Sequence, residues 1–178
     1  MAFLFIILVL VNLSVIIYII SLFSKSPFIS VPKKFLPEIV KALDLKEASV
    51  LYDLGSGDGR VLFAAAKAWP KAKFVGIDKN FAPIVVSKVK WLLSGMPANI
   101  SFIRQDFFKT DFSEATHIFT YLFDGPMAEL YPIMQKQLRS GTRIVSCNFR
   151  LPIPHQSEVV LGNLEDKAAK KLYLYKVA

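Results

Sequence analysis

The run Val50-Leu51-Tyr52-Asp53-Leu54-Gly55-Ser56-Gly57-Asp58-Gly59-Arg60 constrains this chain more than any other, because it reads as a buried strand breaking into a glycine loop and then a helix. Glycines at 55, 57 and 59 let the backbone take positive φ and bring bare main chain close to a ligand. The helix that follows presents unpaired N–H groups at its start. Residues 61–69 favour helix, and residues 73–78 read as a second strand that ends in an acid. Strand, loop and helix together make the setting of a nucleotide-cofactor site.

Spacing separates the candidate cofactors. A dinucleotide fingerprint is G-x-G-x-x-G, with its third glycine packing helix on strand. Here an acid opens the loop, the pattern is D-x-G-x-G-x-G, and Arg60 stands where the third small residue would be. Asp53 can accept a hydrogen bond from an ammonium group, which the methionine part of S-adenosylmethionine carries and a nicotinamide pyrophosphate lacks. The loop therefore points to S-adenosylmethionine held by Asp53, Gly55, Ser56, Gly57 and Gly59. Asp78 lies where a Rossmann-like sheet places its ribose-binding carboxylate, with a solvated strand-end aspartate as the alternative. A third strand over 100–104 leads to Asp106 and Phe107. An adenine ring wants such a pair, a carboxylate for its exocyclic amine and an apolar wall. Equally, Asp106 can cap the short turn that follows and Phe107 can be core.

These three acid-ended strands resemble the successive motifs of class I S-adenosylmethionine-dependent methyltransferases, over roughly residues 35–150. A narrower resemblance rests on Ser26-Pro27-Phe28-Ile29-Ser30-Val31-Pro32-Lys33-Lys34, the glycine loop, Thr120-Tyr121-Leu122 and Gly141-Thr142-Arg143-Ile144-Val145-Ser146-Cys147-Asn148-Phe149. These segments resemble the small membrane-anchored protein-lysine methyltransferases, among them the enzymes acting on the ATP synthase c subunit and the adenine nucleotide translocase. The resemblance implies a Rossmann-like α/β sheet, mostly parallel, with a C-terminal antiparallel hairpin. It also implies in-line methyl transfer to a neutral lysine of a membrane-associated protein. Tyr121, at the end of the fourth strand, would shape the nucleophile's approach, or would be a core strand tyrosine; no general base is assigned. Two departures stand out. The family reads Pro-aromatic-Val-Pro-Thr-Pro before its first helix, whereas Ser30 and Val31 replace the middle Pro-Thr here, and valine cannot reproduce a threonine hydrogen bond. After Tyr121-Leu122 a proline soon follows in the relatives, and this chain has Phe123-Asp124-Gly125-Pro126. Methyl transfer to a lipid or hydrophobic small molecule, and an inactive binding module, are the other readings; the acids at 53, 78 and 106 argue against the last.

Residues 2–23 are almost wholly apolar, and no charge precedes Lys25. Twenty-two helical residues cover about 33 Å, against a hydrocarbon core of roughly 30 Å. The expectation is a transmembrane anchor over 1–24 followed by one methyltransferase domain over 25–178. Lys25, Lys33, Lys34 and Lys41 follow the span, which puts the domain on the cytoplasmic side, or the matrix side in a mitochondrion. The net charge of +8 belongs to the domain and its stem, and draws it toward anionic headgroups, unless lysines such as Lys67, Lys71, Lys73, Lys88 and Lys90 are merely solvated. Clustered aromatic-basic interleaving and a zinc signature are both missing, so nucleic acid is not the expected partner. A single cysteine, Cys147, excludes an internal disulfide, and His117 and His155 are too far apart to argue for a metal.

Elsewhere, helices are expected over 32–43, 82–94 and 126–138, alternating with strands near 49–54, 73–78, 99–104, 116–122 and 142–148. Residues 105–115 are too short for a full helix. Two strand-like runs, 158–161 and 171–175, are expected to pair as the antiparallel hairpin.

Overall fold

The computed structural model describes residues 30–162 and 170–178, so the expected anchor over 1–24 lies outside the described residues. Among those described, no helix is long and apolar enough to cross a membrane.

Seven strands form one sheet: β1 (Val50–Leu54), β2 (Lys73–Asp78), β3 (Ile100–Arg104), β4 (His117–Thr120), β5 (Arg143–Cys147), β6 (Ser157–Leu161) and β7 (Lys170–Lys176). Their order is β3-β2-β1-β4-β5-β7-β6, with the first five parallel and β7 antiparallel to both neighbours. The hairpin is as expected, but its second strand is the one that lies against β5, which leaves β6 at the edge. Strand order reverses between β1 and β4, and ligands of open α/β sheets bind outside the carboxyl ends of strands at such a switch point. Asp53 and Thr120 lie at the ends of those two strands.

Among the described residues, four α-helices cover the sheet: α1 (Leu36–Leu43), α2 (Arg60–Ala68), α3 (Phe81–Leu93) and α4 (Asp124–Gln135). Phe35, Ile39 and Leu43 recur at helical spacing and bury one stripe of the first helical segment. With Leu62, Phe74 and Phe102 they form the core on the face shared by α1, α2 and α3. On the other face, Met127, Leu130 and Met134 of α4 pack with Leu54, Ile77, Ile118 and Ile144.

Local chemistry explains where the elements differ from expectation. Residues 32–43 are not one helix, since a 3-10 turn, Lys33–Phe35, precedes α1. Pro37 falls in the first turn of α1, where its missing N–H costs nothing. Strand β4 stops at Thr120 rather than 122, because its partner β1 turns away at Gly55 after the Leu54↔Thr120 pair. Helix α4 starts at Asp124 and stops at Gln135 rather than 138; the Met134 carbonyl accepts from both Gln137 and Leu138, which closes its last turn. The crossover from β3 to β4 holds only the 3-10 turn Phe107–Lys109, as its length required.

Candidate functional site

The glycine loop is drawn across the end of β2. The N–H groups of Gly55 and Ser56 both donate to the Ile77 carbonyl, at 2.8 and 3.0 Å. Gly57 N–H donates to Asp78 Oδ2 at 3.1 Å, and Asn80 N–H to Asp78 Oδ1 at 2.8 Å. Asp78 is therefore a buried acid that pins the loop, rather than a solvated strand end. Gly59 caps α2 at φ 74°, and a Cβ there would stand 2.5 Å from Phe102 Cζ. Both the left-handed backbone and the crowding demand glycine.

Asp53 faces the cleft that the loop lines, along with Ser30, Val31, Arg60, Phe119 and Tyr121. Its carboxyl is 3% exposed. Burial, then the nearby carboxylates of Asp78 and Asp58, push it from 3.8 up to about 8. Among the described residues, Ser56 Oγ is likewise buried with no hydrogen-bond partner. A buried acid that forms no ion pair among the described residues and an unsatisfied hydroxyl are what a ligand bearing an ammonium group and polar oxygens would satisfy. The loop thus fits the amino-acid end of S-adenosylmethionine.

At the third strand's end, both of the structural alternatives are present. Asp106 Oδ1 accepts from Phe108 N–H at 3.1 Å, capping the 3-10 turn. Phe107 is buried with Leu54 and Ile77 in the α4-side core, its ring 4.9 Å from that of Phe108.

Tyr121 lies just past β4 and lines the same cleft as Asp53. Its hydroxyl accepts from Asn148 Nδ2 at 3.3 Å, its ring centroid is 5.9 Å from that of Phe149, and Phe149 in turn is 4.9 Å from Phe123. Lys170 Nζ stands 5.6 Å over the Tyr121 ring. Asn148 was not singled out by sequence reasoning, though asparagine tolerates left-handed backbone and this one sits at φ 64°. Its amide also accepts from Lys171 N–H at 3.0 Å, so it ties the ends of β4, β5 and β7 together.

A charged strap is the other feature that sequence reasoning missed. Arg60 grips Asp58 with Nε at 2.8 Å and Nη2 at 2.9 Å, and Lys90 of α3 binds the same carboxylate. Burial would raise Asp58, but the hydrogen bonds from Arg60 and Lys90 outweigh it and hold it at about 2. Arg60 Nη1 also donates to the Val31 carbonyl at 2.7 Å, which holds the stem over the loop. Lys90 is thus an ion-pair partner rather than a merely solvated lysine.

Comparison with known proteins agrees with this geometry. The family described as the ANTKMT methyltransferase domain matches residues 53–158, from the loop's first acid to the edge strand. A protein-lysine N-methyltransferase of Saccharolobus islandicus is 30% identical over 152 residues, covering 84% of this chain and 92% of that protein. The human lysine N-methyltransferase named for the ATP synthase c subunit is 30% identical over 129 residues, and the match spans 72% of this chain but only 53% of that longer protein. The crystal structure of an RNA methyltransferase from Salinibacter ruber in complex with S-adenosyl-L-homocysteine superposes with a TM-score of 0.75 at 31% identity, over 84% of this chain and 94% of that one. The loop, the switch-point cleft and these matches converge: this chain belongs to the ANTKMT methyltransferase domain family and is an S-adenosylmethionine-dependent methyltransferase.

Proposed function

We propose that the enzyme methylates the side-chain amine of a lysine in a membrane-associated protein. The observation that carries this reading is the shared cleft of Asp53 and Tyr121, with the rings of Phe149 and Phe123 continuing from Tyr121. Asp53 would receive the cofactor's ammonium group, the loop from Gly55 through Ser56 and Gly57 to Gly59 its methionine end, and Asp78 its ribose. Asp106 and Phe107 would border the adenine, Asp106 through the carboxylate oxygen not engaged by Phe108. Bound S-adenosylmethionine supplies a methyl group on a sulfonium, already activated for displacement.

The chain's own task is positioning and desolvation. A lysine amine has a free pKa of about 10.4 and must arrive neutral, because only its lone pair can take the methyl. Rings beside the aliphatic stem strip water from the amine, which disfavours its charged form. The Tyr121 hydroxyl, held by Asn148, gives the nitrogen a fixed polar neighbour. Relatives named for lysine acceptors support the substrate class, and the ATP synthase component for which the human one is named supports a membrane protein. The apolar residues 2–23 would hold the domain at the same bilayer, facing the compartment that contains the cofactor.

The test is incubation of the full-length chain with radiolabelled S-adenosylmethionine and host membranes lacking their own copy, followed by separation of protein, lipid and RNA. Label recovered as methyl-lysine after hydrolysis of the protein is expected. Label in lipid would overturn the substrate class while keeping the enzyme. Label in RNA would do the same in favour of the acceptor named for the Salinibacter ruber protein.

A further inference from the structure

Helix α3 turns an apolar face to the outside. Ile84 and Ser87 pack inward, whereas Val85, Val89, Leu92 and Leu93 are 39%, 49%, 57% and 81% exposed. At about 100° per residue these four form one continuous outward stripe. Lys88 borders it on one side and Lys90 on the other. Phe81 and Met96, each 52% exposed, extend the apolar surface at its two ends. A helix on a water-facing surface carries polar residues at these positions, and apolar area this contiguous marks a contact surface.

The start of the described chain lies close by. Val31 is bound by Arg60, and Arg60 and Lys90 share Asp58, so the stem is one carboxylate away from the border of the stripe. Only residues 24–29 separate Ser30 from the apolar run 2–23. The seven steps from residue 23 to Ser30 reach no farther than about 25 Å even when fully extended. A bilayer that holds the run therefore passes within reach of α3.

We propose that α3 seats in the headgroup layer of an anionic bilayer, its apolar stripe dipping toward the acyl chains and its bordering lysines reaching the phosphates. This rests on the membrane reading above. Long basic side chains on both edges of an apolar stripe are suited to an interface, where their stems lie along hydrocarbon and their ammonium groups meet anions. The same lysines and the net charge of +8 oppose a second copy of this chain as the occupant. Seating α3 would fix the domain's rotation about its stem, and with it the direction in which the cleft between β1 and β4 opens.

The experiment uses full-length Leu93→Cys carrying an environment-sensitive fluorophore, reconstituted into phosphatidylcholine vesicles with or without phosphatidylglycerol. The native Cys147 is fully buried, so labelling is selective. Nitroxide lipids labelled near the headgroup are expected to quench the probe, more strongly with phosphatidylglycerol present. A probe on Glu129→Cys, exposed on α4 across the sheet, is expected to stay in water. Adding Val85→Glu and Val89→Glu should cut quenching at position 93 to the Glu129→Cys level, with S-adenosylhomocysteine binding retained as the sign of an intact fold. A probe that remains in water while the protein stays in the vesicles overturns the seating and leaves the anchor standing. Protein that fails to associate with vesicles overturns both. Probe self-quenching that disappears on diluting the protein in lipid identifies a second copy on α3, and also overturns the proposal.

Discussion

In the proposed role of receiving the cofactor's ammonium group, Asp53 would couple binding to protonation, because its carboxyl is buried and faces two other acids. The folded protein holds this proton up to about pH 8, whereas an unfolded chain releases it near the ordinary 3.8. The folded state therefore binds more protons across that window, and this group makes the ligand-free protein less stable as pH rises through it. Asp53→Asn should remove that slope, raising ligand-free stability at pH 8 by on the order of 2 kcal/mol while weakening S-adenosylmethionine binding. Denaturant melts at pH 5 and pH 8, with calorimetric titration of the cofactor, check both halves. Wild-type binding at pH 7 should also release a proton, seen as a dependence of the binding heat on buffer ionisation enthalpy. A second contrast separates roles within the cleft. Asp78→Ala removes the acceptor of Gly57 N–H and should weaken cofactor binding at least about tenfold, the equivalent of 1.4 kcal/mol. Tyr121→Phe should leave cofactor binding unchanged and lower kcat, since the lost hydroxyl is bonded to Asn148 rather than to the loop and, in the proposed function, faces the incoming nucleophile. The loop acids were legible in the sequence because their spacing is local. Asn148 was not, since its contact with Tyr121 joins residues 27 apart in the chain.

Among the elements, the join between stem, loop and α3 depends on one carboxylate. Asp58 held at about 2 contributes stability that is fully present above the ordinary 3.8 and is lost as pH falls toward 2. Arg60→Ala should free the Val31 carbonyl and leave Asp58 with Lys90 as its side-chain partner, beside the backbone N–H of residue 60. The expected result is faster tryptic cleavage at Lys33 and Lys34, with a stability loss of about 1–2 kcal/mol, modest because Arg60 and Lys90 keep 20% and 40% side-chain exposure. Cleavage at the wild-type rate would show that core packing by Val31 and Phe35 alone holds the stem. Arg60 was visible in the sequence only as a departure from a dinucleotide pattern. Its role became apparent once folding brought Val31, 29 positions earlier, onto the loop.

For the molecule as a whole, β7 contributes to both cores, as β1, β2, β4 and β5 do. Leu172 and Leu174 face the α1, α2 and α3 side, and Tyr173 and Tyr175 face α4, following the two-residue period of a strand buried on both faces. The Tyr175 hydroxyl accepts from the buried Leu151 N–H at 3.0 Å, so Tyr175→Phe leaves that donor orphaned. A loss of about 1–3 kcal/mol is expected in chemical unfolding. The acid-led glycine loop, the alternation of strands and helices, and the apolar run at 2–23 are written in the sequence, because each depends on neighbours a few residues away. The sequence alone thus determined the fold class and the cofactor. Only tertiary structure decided that β7 rather than β6 lies against β5, that Arg60 and Lys90 share Asp58, and that the exposed face of α3 is apolar. Each of these depends on which distant surfaces meet, and hydrophobic periodicity shows that a helix has an apolar face without showing whether the sheet covers it.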